Sequence, residues 1–209
     1  MSAEKNPSSK FTAIILAAGH GTRMKSPLPK VLHPVAGIPM LSRVINSVKK
    51  AGAQEVRVVI GKTNETLIRR IVEPLGVVCF LQHESKGTAD AVRSAQIDDL
   101  EGDLMVINGD HPLITADDVR AAREDFKENN LALAVVTCRL KKPGAFGRII
   151  RQGDSFTAIV EAKEASPTTL KINEVNTGLY VARADLFKKY LSKIGNQNAA
   201  KEFYLRSEE

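Results

Sequence analysis

The residues best suited to chemistry lie in a loop near the start of the chain that is rich in glycine and basic residues. Its sequence is Leu16-Ala17-Ala18-Gly19-His20-Gly21-Thr22-Arg23-Met24, followed by Pro29-Lys30-Val31-Leu32. Small residues let the backbone approach a ligand and turn its N–H groups toward phosphate oxygens. Arg23 adds a planar charged fork that matches phosphate, and Lys30 adds a point charge. The loop predicts a phosphate site, and a tight turn with solvated basic residues is the alternative.

Two common phosphate-binding motifs do not fit this loop. The dinucleotide-binding fingerprint requires a third glycine and a helix that starts at once. Position 24 is instead a methionine, and Pro27 and Pro29 delay the helix. A P-loop requires Gly-Lys followed by Ser or Thr, which does not occur here. The loop alone therefore leaves the identity of its ligand open.

Two further polar groups follow predicted strands. Gln82 offers both a donor and an acceptor, and Gly87 and Thr88 come shortly after it. Asp110 follows Asn108 and Gly109, and such a carboxylate suits Mg²⁺, which prefers carboxylate and phosphate oxygens. The alternatives are a helix cap at Thr88 and an Asx turn at 108–110.

The hydrophobic pattern predicts the elements that must position these residues. Strands are expected at 11–18, 56–60, 77–81, 104–107 and 131–136, and helices at 40–50, 67–72, 88–95 and from Thr115, which is suited to be the N-cap. This alternation predicts an α/β fold with a mostly parallel, Rossmann-like sheet covered by helices on both faces. After residue 141 a hairpin at 148–161, a strand at 175–181 and a helix at 186–191 predict a small β-rich lobe. In open α/β sheets, ligands bind beyond the carboxyl ends of the strands.

Composition indicates a globular protein and argues against membrane, secreted and nucleic-acid-binding classes. The chain has 209 residues, of which 43% are hydrophobic and 26% are charged, as expected of a globular domain. No apolar run is long enough for a membrane span or a signal peptide, and two isolated cysteines fit a reducing cytoplasm. The net charge of +6 favours an anionic partner. Because aromatic residues are only 5% and the basic residues are spread out, we expect neither a nucleic acid nor a membrane as partner.

The string L-A-A-G-x-G-T-R-M, followed by P-K-V-L, resembles the signature of the sugar-1-phosphate nucleotidyltransferases. From about Phe11 to Leu205 the chain is most similar to the N-acetylglucosamine-1-phosphate uridyltransferase domains of bifunctional enzymes in that family. The resemblance implies the nucleotide-diphospho-sugar transferase fold and Mg²⁺ as cofactor. It implies transfer from UTP to N-acetylglucosamine 1-phosphate, which releases pyrophosphate and gives UDP-N-acetylglucosamine for cell-wall precursors. It also implies a lead-in at 1–10, a nucleotide-binding part at 11–140, a sugar-binding lobe and C-terminal segment at 141–205, and a tail at 206–209.

The resemblance assigns roles to individual residues. It implies nucleotide binding by Leu16, Ala17, Ala18, Gly19, Gly21, Thr22, Lys30, Gln82, Gly87 and Thr88. It implies sugar binding by Asn108, Gly109, Gly147, Glu161 and Asn176. It implies catalysis by Arg23, Lys30 and Asp110, with Asp110 as the metal ligand and His111 as a loop residue.

The chain departs from the family's pattern at its end. Residues 198–205 resemble the family's N-A-x-x-E-Y-Y-L stretch, but the Asn that supplies a second metal ligand beyond it has no counterpart. The repeat-built β-helix that forms the family's trimer is also missing, so we do not expect a trimer. Two other hypotheses stay open at this point: a related nucleotidyltransferase that uses dTTP or CTP, and a non-catalytic relative that binds a nucleotide or sugar.

Overall fold

The computed structural model describes residues 11–19, 21, 24–196 and 203–205. Thr22, Arg23, the lead-in at 1–10 and the tail at 206–209 lie outside the described residues. The strands are β1 (Phe11–Ala17), β2 (Pro34–Val35), β3 (Ile38–Pro39), β4 (Glu55–Gly61), β5 (Val78–Gln82), β6 (Asp103–Asn108), β7 (Leu133–Arg139), β8 (Arg148–Gln152), β9 (Ser155–Val160) and β10 (Glu174–Arg183). The helices are α1 (Met40–Lys50), α2 (Glu65–Val72), α3 (Thr88–Ser94), α4 (Ala116–Glu128) and α5 (Ala184–Leu191).

The main sheet has a parallel half and an antiparallel half. Its order is β5-β4-β1-β6-β10-β8-β9, and β7 pairs with β10 outside this path. The first four strands are parallel, as the alternation of strands and helices predicts. Beyond β6 all pairs are antiparallel: β10 runs against β6, β7 and β8, and β9 runs against β8. The predicted β-rich lobe is therefore continuous with the main sheet through β10.

Helices cover both faces of the sheet, as predicted. Alternate residues of β1 point to opposite faces: Ala13 and Ile15 pack in one apolar cluster with Leu41 of α1, and Ile14 packs in the other with Val92 of α3. A strand buried on both faces reads as an unbroken apolar run rather than as alternation. No helix in the described part of the chain has the length and apolar character of a membrane span.

A capping box fixes the exit of the loop that follows β6. The Thr115 hydroxyl oxygen accepts from the Asp118 amide at 3.1 Å, and the Thr115 amide donates to the Asp118 carboxylate at 2.8 Å. The Thr115 hydroxyl also donates to the Asp118 carboxylate at 2.7 Å, and this bond, followed by the one from the Thr115 amide, holds the pKa of Asp118 below its usual range. Such a box contributes about 1 kcal/mol to helix stability. It anchors the start of α4 a few residues after Asp110, and it confirms Thr115 as the predicted N-cap.

An irregularity in β10 brings the second part of the chain against the end of β6. The register with β7 shifts between Asn176 and Leu179, and Gly178 has a φ of +78°. A Cβ atom at Gly178 would meet Nδ2 of Asn108, so a larger residue would have to displace that side chain. The bulge therefore places 176–178 beside the loop that contains Asp110.

A buried carboxylate ties β10 to its neighbours. Glu174 accepts two bonds from the Arg151 guanidinium, at 2.8 and 3.0 Å, and one from the Thr137 hydroxyl at 2.9 Å. The bonds from Arg151 are the main cause that lowers the pKa of Glu174, from 4.5 to about 2. Because the folded protein binds the proton more weakly than the unfolded chain, this pair stabilises the fold above about pH 4.5 and the effect disappears toward pH 2.

We expect Glu174→Gln to unfold more easily than the unmodified protein at pH 7, by about 1–3 kcal/mol. The difference should shrink as pH falls below 4.5 toward 2. Urea denaturation over this pH range measures it. Glu128→Gln, at an exposed position on α4, is the control and should show no such pH-dependent gap. A gap for Glu174→Gln that stays constant with pH would contradict the assignment.

Candidate active site

A cavity of ≈ 620 Å³ lies beyond the carboxyl ends of β1, β5 and β6. Its lining includes the following residues predicted from the sequence: Leu16, Ala17, Ala18, Gly19, Gly21, Lys30, Gln82, Gly87, Thr88, Asn108 and Asp110. The position agrees with the rule that ligands of open α/β sheets bind at this edge. Residues from three separate loops thus meet in one place.

Glycine makes the turn after β1 tight enough to bring Lys30 into the cavity. Gly21 has a φ of +60°, and a Cβ atom there would lie 2.6 Å from Cβ of Lys30. The Gly21 carbonyl accepts from the Met24 amide at 2.9 Å, which closes the turn. Lys30 begins a short 3-10 turn in which Val31 is buried. The buried neighbour fixes the backbone at Lys30, while its ammonium group points to the cavity.

Lys30 and Asp110 form an ion pair in the cavity lining. The Gly109 amide, one residue before Asp110, donates to the Leu16 carbonyl at 2.8 Å and joins this loop to the end of β1. The two side chains are 42% and 26% exposed, so the pair contributes little to stability. Its significance is chemical, since it places a cation and a carboxylate side by side where a ligand can reach both.

His111 follows Asp110 but does not line the cavity. Its Nε2 lies 4.0 Å from Oδ1 of Asp110. Burial is the main cause that lowers the pKa of His111, against the opposite effect of the Asp110 charge. His111 thus lies beside Asp110 and outside the cavity lining, and its role as a loop residue stays a prediction.

Gln82 is held with its amide nitrogen turned inward. The side chain is buried, and Nε2 donates to Oδ2 of Asp90 at 2.7 Å and to the Gly87 carbonyl at 3.3 Å. Both hydrogens of the amide are therefore in use, and within the described residues the oxygen has no such bond. The sequence predicts that Gln82 offers a ligand both a donor and an acceptor. In the structure the amide nitrogen is already bonded, so only the side-chain oxygen is left to accept from a ligand.

The segment 203–205 lies directly on the Gly87–Thr88 loop. The Phe203 amide donates to the Lys86 carbonyl at 2.7 Å, and the Phe203 carbonyl accepts from the Ala89 amide at 2.8 Å. Gly87 has a φ of +104°, and a Cβ atom there would lie 2.4 Å from the Phe203 oxygen. The Thr88 hydroxyl oxygen accepts from the Leu205 amide at 2.9 Å, which leaves its own hydrogen to donate. The loop is thus shaped by residues far away in sequence.

The remaining predicted sugar-binding residues lie together outside the cavity lining. The Asn176 amide donates to the Gly147 carbonyl at 2.9 Å. A Cβ atom at Gly147 would lie 3.1 Å from Oε1 of Glu161. These three residues connect to the cavity through the bulge at Gly178, which touches Asn108. Gly109 also lies behind the lining, where it contacts Leu16.

Comparison with known proteins identifies the family. A profile of the MobA-like NTP transferase domain matches residues 13–197. This chain belongs to that family. It is therefore a nucleotidyltransferase.

A curated relative is similar to this nucleotidyltransferase over most of its sequence. It is 54% identical over 195 residues to the bifunctional protein GlmU of Bdellovibrio bacteriovorus, a match that covers 93% of this chain and 42% of the relative. The chain thus spans less than half the length of that relative.

Two solved structures share the fold. A protein of Bacillus anthracis described as a glucose-1-phosphate thymidylyltransferase has a TM-score of 0.74 and 24% identity, covering 92% of this chain and 78% of the other. A UDP-glucose pyrophosphorylase in complex with UDP-glucose has a TM-score of 0.72 and 16% identity, covering 92% and 82%.

Several lining residues of this nucleotidyltransferase were missed by the reasoning from sequence: Met24, Val31, Ser85, Ala91 and Tyr204. Met24 and Val31 belong to the glycine-rich string and its continuation, so their neighbourhood was already marked. Ala91 lies one helical turn after Gly87, which is a usable signal. Tyr204 is separated from the rest by more than 90 residues. Only the contacts of 203–205 bring it to the cavity.

The donor set of the nucleotidyltransferase fits a magnesium ion that arrives with phosphates. Asp110 is a partly exposed carboxylate in the lining, and the amide of Asn108 lies in the same lining. Within the described residues no group of three or more His, Cys, Asp or Glu side chains could hold a metal alone. Mg²⁺ in nucleotide sites is commonly bound by one or two carboxylates and completed by substrate phosphates and water. One carboxylate beside a cavity large enough for a ligand with phosphate groups meets that requirement.

Proposed function

We propose that this chain transfers a uridylyl group from UTP to N-acetylglucosamine 1-phosphate. A phosphate oxygen of the sugar phosphate attacks the α-phosphorus of UTP, and a new P–O bond forms. The bond from the α-phosphorus to the oxygen that bridges to the β-phosphate breaks, and pyrophosphate leaves with that oxygen. The attacking phosphate is already ionised at neutral pH, so no general base is needed. The products are UDP-N-acetylglucosamine and pyrophosphate.

The observation that supports this proposal most is the Lys30–Asp110 pair in a glycine-lined cavity. Phosphoryl-type transfer depends mainly on positioning and on charge stabilisation, and this pair supplies the charges. The 54% identity to GlmU over nearly the whole chain adds to the argument. This chain spans 42% of that relative, so we propose the transfer for this chain alone.

Within the proposal, the cavity residues divide the work on the nucleotide. The backbone around Leu16–Ala18 and Gly21 would cradle the phosphates, and the Lys30 ammonium would bind the α-phosphate or the acceptor phosphate. Asp110 would hold Mg²⁺, which supplies positive charge to the phosphates when bound. The Gln82 oxygen would accept from the base. Arg23, outside the described residues, is expected to add a second cation for the leaving pyrophosphate.

The sugar would lie on the other side of Asn108. Gly147, Glu161 and Asn176 form one group there, with a backbone carbonyl, a carboxylate and a carboxamide that can bind hydroxyl and acetamido groups. The bulge at Gly178 gives this group its position next to the cavity. The acceptor phosphate would then face Lys30.

A pyrophosphate-release assay tests the proposal. It uses UTP, CTP, dTTP and ATP, each with N-acetylglucosamine 1-phosphate and with glucose 1-phosphate, in the presence and absence of Mg²⁺. We expect release with UTP, N-acetylglucosamine 1-phosphate and Mg²⁺ together. Release with dTTP or CTP but not UTP would make the chain a different nucleotidyltransferase. Binding of UTP without turnover would show that this chain binds nucleotide and lacks the activity.

A further inference from the structure

A continuous set of hydrogen bonds, here called the Tyr180 relay, joins the proposed sugar site to the proposed nucleotide site. Nδ2 of Asn176 donates to the Tyr180 hydroxyl at 2.7 Å. The Tyr180 hydroxyl donates to the Leu205 carbonyl at 3.0 Å. The Leu205 amide donates to the Thr88 hydroxyl oxygen at 2.9 Å. Three links thus connect residue 176 with residue 88.

The middle of the relay is buried, so its bonds are costly to lose. Tyr180 is 7% exposed and Leu205 is 6% exposed. Burial is the main cause that raises the pKa of Tyr180 to about 12, so its hydroxyl stays protonated and can donate. If the hydroxyl were removed, Nδ2 of Asn176 and the Leu205 carbonyl would both lose their partner. A buried polar group without a partner costs more than the bond itself contributes.

Both ends of the relay reach groups that the proposed reaction uses. At one end, the Asn176 amide donates to the Gly147 carbonyl, and the Asn176 side-chain oxygen accepts from the Gly178 amide at 2.9 Å. At the other end, Thr88 lines the cavity, and Phe203 in the same segment binds the backbone on both sides of Gly87. A shift at either end therefore changes the geometry that the other end depends on.

We propose that Tyr180 is a positioning residue that couples the sugar site to the nucleotide site through Leu205. Tyr180 itself is buried and does not line the cavity. It orients the Asn176 carboxamide and holds the segment 203–205 against the Thr88 loop at the same time. The relay itself is a property of the free protein, whereas its use in substrate binding rests on the proposed function.

Amide hydrogen exchange in the free protein tests the relay without any activity. Asn176→Ala should speed exchange of the Leu205 amide about fivefold. Asn176 has no direct hydrogen bond to Leu205 in the relay, so the effect must pass through Tyr180. In a Tyr180→Phe background the same change should have no further effect, because the link is already broken. Thr137→Val is the matched control, since it removes one hydroxyl hydrogen bond from the same strands outside the relay. It should leave the Leu205 amide unchanged.

Two results would overturn the proposal. One is an unchanged Leu205 amide in Asn176→Ala, and the other is an equal acceleration in Thr137→Val, which would indicate general loosening. If Tyr180→Phe does not fold, Asn176→Ala and Thr137→Val still decide, since both change half-buried residues.

Kinetics then tests what the coupling does. Tyr180→Phe should raise KM for both UTP and N-acetylglucosamine 1-phosphate about 3–10-fold, with a smaller change in kcat, because it shifts binding groups and leaves Lys30 and Asp110 in place. A change in KM for one substrate only would refute the coupling. If the unmodified chain releases no pyrophosphate with these substrates, the proposed function fails, and hydrogen exchange alone decides the relay.

Discussion

Asp110→Asn is expected to lower the rate of pyrophosphate release about 10²–10³-fold while the protein stays folded. The amide keeps the size of the side chain but removes the negative charge that would hold Mg²⁺ against the phosphates. It also leaves the Lys30 ammonium without its counterion in the cavity. Steady-state kinetics over a range of Mg²⁺ concentrations measures the effect, and the residual activity should need more Mg²⁺.

Stability separates a chemical role for Asp110 from a structural one. Because both members of the ion pair are partly exposed, the free energy of unfolding should change by less than about 1 kcal/mol. Asp98→Asn is the matched control, since Asp98 is exposed and lies outside the cavity lining. It should leave the rate unchanged. Near-normal turnover by a folded Asp110→Asn protein would remove Asp110 from the mechanism.

Gly87→Ala is expected to destabilise the protein by about 2–4 kcal/mol and to weaken UTP binding at least tenfold. Two effects add in this variant. The φ of +104° strains any residue with a Cβ atom, and that atom would meet the Phe203 carbonyl at 2.4 Å. Because the atom that the new Cβ meets is the backbone oxygen of Phe203, the Phe203 backbone must move. The segment 203–205 then moves away from the Thr88 loop. Thermal unfolding and titration calorimetry with UTP measure the two losses.

Gly52→Ala isolates the backbone strain from the clash. Gly52 has a φ of +96°, close to that of Gly87, but a Cβ atom there would meet nothing within 4 Å. It should cost about 1–2 kcal/mol and leave UTP affinity intact. If both variants lose the same free energy of unfolding and Gly87→Ala binds UTP normally, the contact with Phe203 contributes nothing to UTP binding.

Local pattern was sufficient for most of the elements. The unbroken apolar run at 11–18, the helical spacing at 40–50 and the Thr115 cap each report on neighbours within one turn or one strand, and each is found in the structure. The glycine-rich string also marked a loop that lines the cavity, because tight turns with special φ values demand particular residues. Such features depend on residues that are close together in sequence.

Contacts between distant residues were not predictable in this way. The place of β10 between β6 and β7 depends on which strand edges are left free once the parallel half has formed. The inward turn of the Gln82 amide depends on Asp90, and the shape of the Thr88 loop depends on Leu205.

The sequence by itself determined the strands, the helices and the position of the glycine-rich loop, because these follow from local periodicity and from the freedom of glycine. Only the tertiary structure decided which polar atoms remain available in the cavity and how the Tyr180 relay joins its two ends. The reason is physical: a hydrogen bond forms between groups that packing brings within about 3 Å, and separation along the chain does not report that distance.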